Sequence, residues 1–465
     1  MKNKVIFILI VLLLAAFSSE PFLFFYAGVL LLYVFHVCWR MNEAKHLLVN
    51  LLLYWSVVAI LIPYADMVNR PLQQMYIYGK SDIVLSSWIG LTALAVYLMG
   101  IQIAVFRVKS IDISILNSLL NRYNGQKIML VYIIVSLLSV ALNNAIIFIP
   151  GGQLLLSVTY MKWVLLTFLI AHTLVDDSNR LIVLILIVLE ILLSFSGFWA
   201  AFKDYILVMI GAYFLFLPKF SFKSVLLVTS IIIVTLFMSV VWTYSKGEYR
   251  KYLTGGERTQ IIVQEDQFSN LFKFIEIVRE DFSPENFSSS FSTGLESLIH
   301  RISYVEFLAL TMKQVPAYIP HEEGGLLKNA FEHVLKPRFL FPDKKPIYDS
   351  ELTSKYTGIQ FAGAEQGTSF SLGTVAESYV DFGRIYMFIP IFFFGFWIGW
   401  LYRYFIVNGY NIIWGMCYSA PIFQFAWSFP IPTTKFLGWS ITYSIGFWLL
   451  NKYLIKYLDN FLLKK

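Results

Sequence analysis

Twelve stretches of this chain are apolar for long enough to cross a bilayer, and few folds accommodate that. A spanning helix needs about 20 mostly apolar residues. Such stretches fall at 3–19, 22–38, 47–64, 83–105, 128–149, 154–175, 181–199, 205–217, 224–243, 385–402, 411–429 and 436–451, the eighth being short. Charged residues make up 14% of the chain, where a soluble globular protein carries about 25%. Hydrophobic residues reach 58% and aromatic residues 18%, and aromatics are enriched where helix ends meet lipid headgroups. The sequence therefore predicts an all-α polytopic membrane protein.

Loop charges set the expected orientation, because short cytoplasmic loops collect Lys and Arg. With the N-terminus in the cytoplasm, one side carries Lys2, Lys4, Arg40, Lys45, Arg107, Lys109, Arg122, Lys127, Arg180, Lys219, Lys223, Arg403, Lys452, Lys456, Lys464 and Lys465. The short loops on the other side carry only Arg70, Lys80, Lys203 and Lys435. Both termini are expected in the cytoplasm. Ala15, Ala16 and Ser18 look like a signal-peptide cleavage site, but more spans follow at once, so residues 1–19 are read as an uncleaved first helix. The net charge of +7 is then mostly an orientation signal and not a nucleic-acid footprint. Cys38 and Cys417 lie far apart in apolar stretches, as packed thiols do.

This divides the chain into an N-terminal bundle (1–243), a large extracytoplasmic loop domain (244–384) and C-terminal spans (385–465). A loop of that length is a folded or lid-like element, not a linker. Surface helices are expected at 268–280 and at 295–315, the latter with Leu295, Leu298, Ile299, Ile302, Val305, Leu308 and Met312 on one stripe. Between 244 and 383 there are 14 Lys and Arg against 19 Asp and Glu. In this acidic domain 336–346, KPRFLFPDKKP, is a cationic island: Lys336, Arg338, Lys344 and Lys345 surround Asp343, with prolines holding the path extended. Lys and Arg in such an island suit a phosphate-bearing ligand, Arg by its bidentate fork. Arg301 is a further candidate, since no acid lies three or four residues from it on its helix.

The run 365–383, EQGTSFSLGTVAESYVDFG, leads into the tenth span as a flexible, hydroxyl-rich approach. Glu377 follows Thr374 at capping-box spacing, or else serves as a carboxylate that takes a proton from a sugar hydroxyl. Asp381-Phe382-Gly383 matches a kinase tripeptide by chance, without the accompanying motifs. His321, in YIPHEEGG between a Pro and two Gly, marks a loop tip where a histidine can act as a base near neutral pH. His321 is read as the base and Glu377 as an orienting or acceptor-binding group, with exchanged roles as the alternative. No His/Cys spacing indicates a metal, and no cofactor is expected. Within the membrane, Lys162 and Glu190 are expected to pair with each other. Lys203 sits at the outside turn between the seventh and eighth spans.

The pattern resembles the Wzy-type oligosaccharide repeat-unit polymerases of bacterial surface-polysaccharide pathways, the O-antigen and exopolysaccharide polymerases. The likeness lies in ten or more spans with one late external loop, in Arg301, in the 337–346 strip and in SLGTVAESYVDFG (371–383). Many members carry an Arg in an outside turn near mid-chain; here SGFWAAFKD has Lys203 instead. The resemblance implies a GT-C-like membrane glycosyltransferase, which moves a growing glycan from undecaprenyl diphosphate to a lipid-linked repeat unit at the outer face. It implies Arg301, Arg338, Lys336, Lys344, Lys345 and Lys203 on the diphosphate, and His321 and Glu377 at the acceptor. Implied partners are lipid-linked oligosaccharide, membrane lipid, a chain-length regulator and a flippase, with no nucleic acid. An O-antigen-ligase-like enzyme and a lipid-linked glycan transporter are the competing expectations.

Overall fold

The computed structural model describes residues 18–40, 61–68, 75–106, 112–145, 155–198, 201–216, 222–257, 266–336, 347–363, 368–424 and 431–464, with a few isolated positions between them. In chain order the first half contains α1 (Pro21–Arg40), α2 (Leu61–Val68), α3 (Met75–Val105), α4 (Ile113–Leu120), α5 (Gly125–Ala145), α6 (Leu156–Thr173), α7 (Arg180–Leu193), α8 (Phe202–Phe216) and α9 (Phe222–Leu253). Six shorter helices follow: α10 (Gln267–Asp281), α11 (Phe287–Ile302), α12 (Val305–Gln314), α13 (Gly325–Leu335), α14 (Asp349–Thr357) and α15 (Thr374–Tyr386). The chain closes with α16 (Phe388–Asn408), α17 (Ile412–Gln424), α18 (Thr433–Tyr453) and α19 (Ile455–Leu462). Among the described residues there is no strand, only an isolated bridge between Tyr123 and Leu463.

Six helices are long and apolar enough to cross a membrane, at Pro21–Cys38, Asp82–Val105, Gly125–Leu142, Asp177–Ser196, Leu226–Leu253 and Phe388–Asn408. This is a multi-pass membrane protein. Of the other expected spans, α6, α8, α17 and α18 are helical where the sequence placed them but are shorter or more polar than the six. Of the stretch 3–19 only Ser18 and Ser19 are among the described residues, and 47–64 and 411–429 lie outside them in part. The reason is visible in α6: from 161 to 171 every residue but Lys162 is buried. A helix screened from lipid by its neighbours need not meet the apolarity that lipid demands. Helix α7 is the opposite case, burying Val183 and Ile187 and exposing Leu181, Ile182, Leu184, Ile185, Val188 and Leu189.

The tightest contact in the bundle is glycine-mediated. A Cβ on Gly395 would lie 2.1 Å from the Tyr97 carbonyl oxygen, and one on Gly100 would lie 2.2 Å from that of Phe392. With Gly399 against Ile101, α16 presents a small-xxx-small face that lets two backbones touch. Gly395→Val is therefore expected to force α3 and α16 apart. It should lower the melting temperature of the purified protein by an amount corresponding to at least 1–3 kcal/mol, the usual cost of overpacking; an unchanged thermal-shift profile would contradict this packing.

Both cysteines are buried thiols. The expected charge pair of the membrane region is indirect: Lys162 Nζ donates to the Tyr205 hydroxyl at 3.2 Å, and Tyr205 and Tyr132 both hydrogen-bond Glu190. A phenol between the charges satisfies both without bringing them together.

Candidate functional site

The ninth span does not stop at residue 243. Helix α9 continues to Leu253 and carries Lys246 and Arg250 on one face, four residues apart. An aromatic cluster pins the surrounding elements: Phe274 of α10 lies 5.2 Å from Phe195, 5.4 Å from Trp242 and 5.2 Å from Tyr249, ring centre to ring centre. Helix α11 runs alongside α9, because Gly294 brings its backbone onto Val240, where a Cβ would sit 3.1 Å from the Val240 carbonyl oxygen. Phe291 stacks on Phe237 one turn before. Seven residues past Gly294 is Arg301, and seven past Val240 falls between Lys246 and Arg250. Two turns of rise on each helix, about 10 Å, bring the three cations to one level.

They sense one another. Arg301 acts electrostatically on both Lys246 and Arg250, and Arg250 acts on Lys246. Among the described residues no acid forms an ion pair with Lys246 or Arg301. Glu248, between Lys246 and Arg250, pairs outward with Lys251 at 2.6 Å. Arg301 is exposed at the end of α11, and the protein packed near it pulls its guanidinium below the usual value. Arg250 donates Nε–H to the Phe198 carbonyl at 3.2 Å and stacks on the Phe198 ring at 4.3 Å. A guanidinium therefore reaches the turn before α8 that leads to Lys203, supplied from α9 and not from within the turn. Lys203 itself is exposed and neighbours Asp204.

The helix expected over 295–315 is two helices. It breaks at Ser303-Tyr304, where the His300 ring pairs with buried Glu306 at 2.6 Å across the break. Tyr304 lies within electrostatic reach of Arg301 on one side and Asp349 on the other. Buried Asp349, in the first turn of α14, pairs with Lys435 and accepts a hydrogen bond from Ser369 at 3.1 Å. Asp349 in turn acts on Glu377.

Glu377 is buried in the first turn of α15. The capping-box expectation is overturned: Gly373 is the N-cap, and the Thr374 hydroxyl donates to the Ile431 carbonyl. The Glu377 carboxylate instead accepts the Thr433 N–H at 2.8 Å, at the start of α18, a partner 56 residues away. Burial, aided by Asp349 and Asp381, pushes its carboxyl up to about 7, against the opposing Thr433 hydrogen bonds. In the approach to α15, 364–367 lie outside the described residues, while the part from 368 onward is held in place. Ser371, Leu372, Gly373 and Thr374 are buried, and Ser369 is bonded to Asp349.

Each residue of Asp381-Phe382-Gly383 has a local task. Asp381 accepts the Leu326 and Leu327 N–H groups at 2.9 and 2.8 Å and so caps α13, while burial raises its carboxyl. Phe382 packs on Gly324, and Gly383 kinks α15 at φ 68° beside the His321 ring. His321 is not a free loop tip. It is half-buried, its Nδ1–H donates to the Val380 carbonyl at 3.1 Å, and its ring meets Tyr379 edge-on. That leaves Nε2 as the acceptor nitrogen of the neutral ring. No hydrogen bond joins His321 to Glu377.

The cationic island divides. Lys336 pairs with Glu332 at 3.4 Å, and Lys344 donates to the carbonyls of His333 and Lys336, closing the C-terminal end of α13. These two are held by α13. Arg338 and Lys345 lie outside the described residues. Sequence reasoning missed Lys246, Arg250, Asp349 and Lys435. The first two read as the charged end of a span, and only their i, i+4 spacing without a paired acid hinted at a shared face. Below the acids an apolar groove of about 410 Å³ runs between α13, α15, α16 and α18, with Phe382, Phe393, Trp397 and Leu437 in its wall.

Residues 89–460 match a protein family described only as a domain of unknown function, DUF8712. The chain belongs to that family. Comparison with curated proteins gives no match, and comparison with solved structures gives none. The DUF8712 match takes in α9, α11, α14, α15 and α18, so every residue of the site described above falls within it. Among the described residues no group of three or more His, Cys, Asp and Glu is arranged to hold a metal ion.

Proposed function

We propose that this chain is a membrane glycosyltransferase that moves a glycan from a polyprenyl diphosphate to the sugar hydroxyl of a second lipid-linked unit, as the Wzy-type polymerases do. The observation that carries this reading is the gathering of Lys246, Arg250 and Arg301 within electrostatic reach of one another, linked through Tyr304 and Asp349 to a buried carboxyl poised near neutrality. Arg301 repels both Lys246 and Arg250, and among the described residues no acid pairs with Lys246 or Arg301. A dianionic or trianionic ligand relieves that repulsion, and it does so most as charge grows on a departing diphosphate. In the reaction the bond from the donor sugar's anomeric carbon to the diphosphate oxygen breaks, and a bond to the acceptor oxygen forms. The acceptor proton passes to Glu377 or to Nε2 of His321, and the diphosphate leaves with the bonding electron pair. The apolar groove beside α15 suits a hydrocarbon tail. Polymerisation in vitro with lipid-linked repeat units tests the reading: a ladder of products supports a polymerase, and a single transfer points to the ligase-like alternative.

The reading also carries a twelve-span, GT-C-like architecture with α10–α15 on the extracytoplasmic side and both termini in the cytoplasm. Gln360 is exposed just beyond α14. A Gln360→Cys variant is expected to react with a membrane-impermeant maleimide on intact cells from which the outer barrier has been removed. Labelling only after the inner membrane is breached would invert the topology.

A further inference from the structure

The last helix makes a second surface of defined chemistry. Helix α19 buries Ile455, Asp459 and Leu462 and turns Tyr457 and Phe461 outward, four residues apart, with Tyr453 and Leu454 exposed just before it. Its single acid is spent internally: Asp459 accepts Tyr123 OH at 2.7 Å, Trp414 Nε1–H at 2.7 Å and Asn411 Nδ2–H at 3.0 Å. What faces outward is aromatic and cationic. Lys452 and Lys456 are exposed, Arg122 is exposed beside the chain end, and Lys464 donates its backbone N–H to the Arg122 carbonyl. Among the described residues no acid pairs with Arg122, Lys452 or Lys456; Asp176 faces Lys464 at 3.9 Å, and Asp177 pairs with Arg180.

The depth of this surface is set by two candidate spans that end against it. The first turn of α5 meets the end of α19 through Asn124 N–H on the Leu462 carbonyl and Lys127 Nζ on the carbonyls of Phe461 and Leu463. The last turn of α16 meets α18 through Asn451 on the Asn408 carbonyl. Helix α19 therefore lies where spans end, which is headgroup level, with its outward aromatic stripe against the acyl boundary. We propose that α19, with Arg122, Lys452 and Lys456, holds anionic phospholipid in the leaflet at this end of the bundle, and selects it over zwitterionic lipid. The argument is charge complementarity: three cations at headgroup depth with no acid of their own attract an anionic headgroup, each worth roughly fivefold in affinity near a membrane surface.

The test uses the purified full-length chain in detergent, titrated with phosphatidylglycerol or phosphatidylcholine, with retained lipid counted by native mass spectrometry. Wild type is expected to prefer phosphatidylglycerol by roughly a hundredfold. The R122Q/K452Q/K456Q variant should fall to near parity with an unchanged melting temperature, since all three side chains are exposed. Tyr457→Ser with Phe461→Ser should lower retention of both lipids alike. Equal retention of the two lipids by wild type, or a preference that survives the triple change, would overturn the proposal. Neither readout depends on glycan transfer.

Discussion

Glu377→Gln is expected to slow glycan transfer by roughly 10²–10⁴-fold while leaving the protein folded and, above neutral pH, more stable than wild type. The two halves have one cause. Glu377 is buried, and its carboxyl is pushed from its usual value near 4.5 to about 7. Glutamine keeps an oxygen for the Thr433 N–H but cannot take a proton. If Glu377 accepts the proton of the attacking hydroxyl, the wild-type rate climbs as pH rises through about 7, and the variant loses that limb. The stability effect has the opposite sign. Below pH 4.5 the carboxyl is protonated in both folded and unfolded chains. Between 4.5 and about 7 the unfolded chain releases the proton and the folded one keeps it, so stability falls as pH rises. The full cost, on the order of 3 kcal/mol, is reached above 7. The variant should lack this slope, so its melting temperature relative to wild type rises between pH 5 and pH 8. Near-normal turnover in Glu377→Gln, beside a severe loss in His321→Ala, would move the proton to Nε2 of the histidine and leave Glu377 as a cap for α18.

Arg301→Ala should cost roughly 10²–10³-fold in turnover, the scale seen when one preorganised donor to a developing anion is removed. Arg301→Lys should recover little, because the two-pronged geometry of the guanidinium is lost. A purely structural role predicts a less stable protein. The anion-site reading predicts the reverse without ligand, since removing one of three like charges relieves repulsion on Lys246 and Arg250. Inorganic pyrophosphate supplies the discriminating measurement. It should raise the melting temperature of wild type, and the shift should be largely lost in Arg301→Ala and in Lys246→Met. A pyrophosphate shift that survives both changes, or full-length glycan ladders from Arg301→Ala, would remove the diphosphate from this cluster of cations.

The residues that sequence reasoning singled out fared according to how local their environment is. The surface helix expected over 268–280 is α10, because an amphipathic stripe reports its own packing face. The helix over 295–315 was overextended. Its apolar spacing persists through Ser303, and the turn there is fixed by contacts such as His300 with Glu306 that no periodicity records. The 336–346 strip drew attention because its charges adjoin in sequence. In space Lys336 and Lys344 are absorbed by the end of α13, and the charges that gather come from α9 and α11, some 50 residues apart.

By itself the amino-acid sequence determined that this chain is helical and crosses a membrane several times, since apolar run length and charge scarcity act residue by residue and need no partner. It also singled out Arg301, Glu377 and His321, each conspicuous for a local want of partners or for its chemical type. Only the tertiary structure decided what those residues meet. Glycine contacts fix how closely α3 lies on α16 and α11 on α9, and so set the level at which Arg301 joins Lys246 and Arg250. Long-range packing buries Glu377 against the start of α18 and raises its pKa. Desolvation and like-charge proximity depend on distances between distant segments, and such distances exist only once the helices have packed.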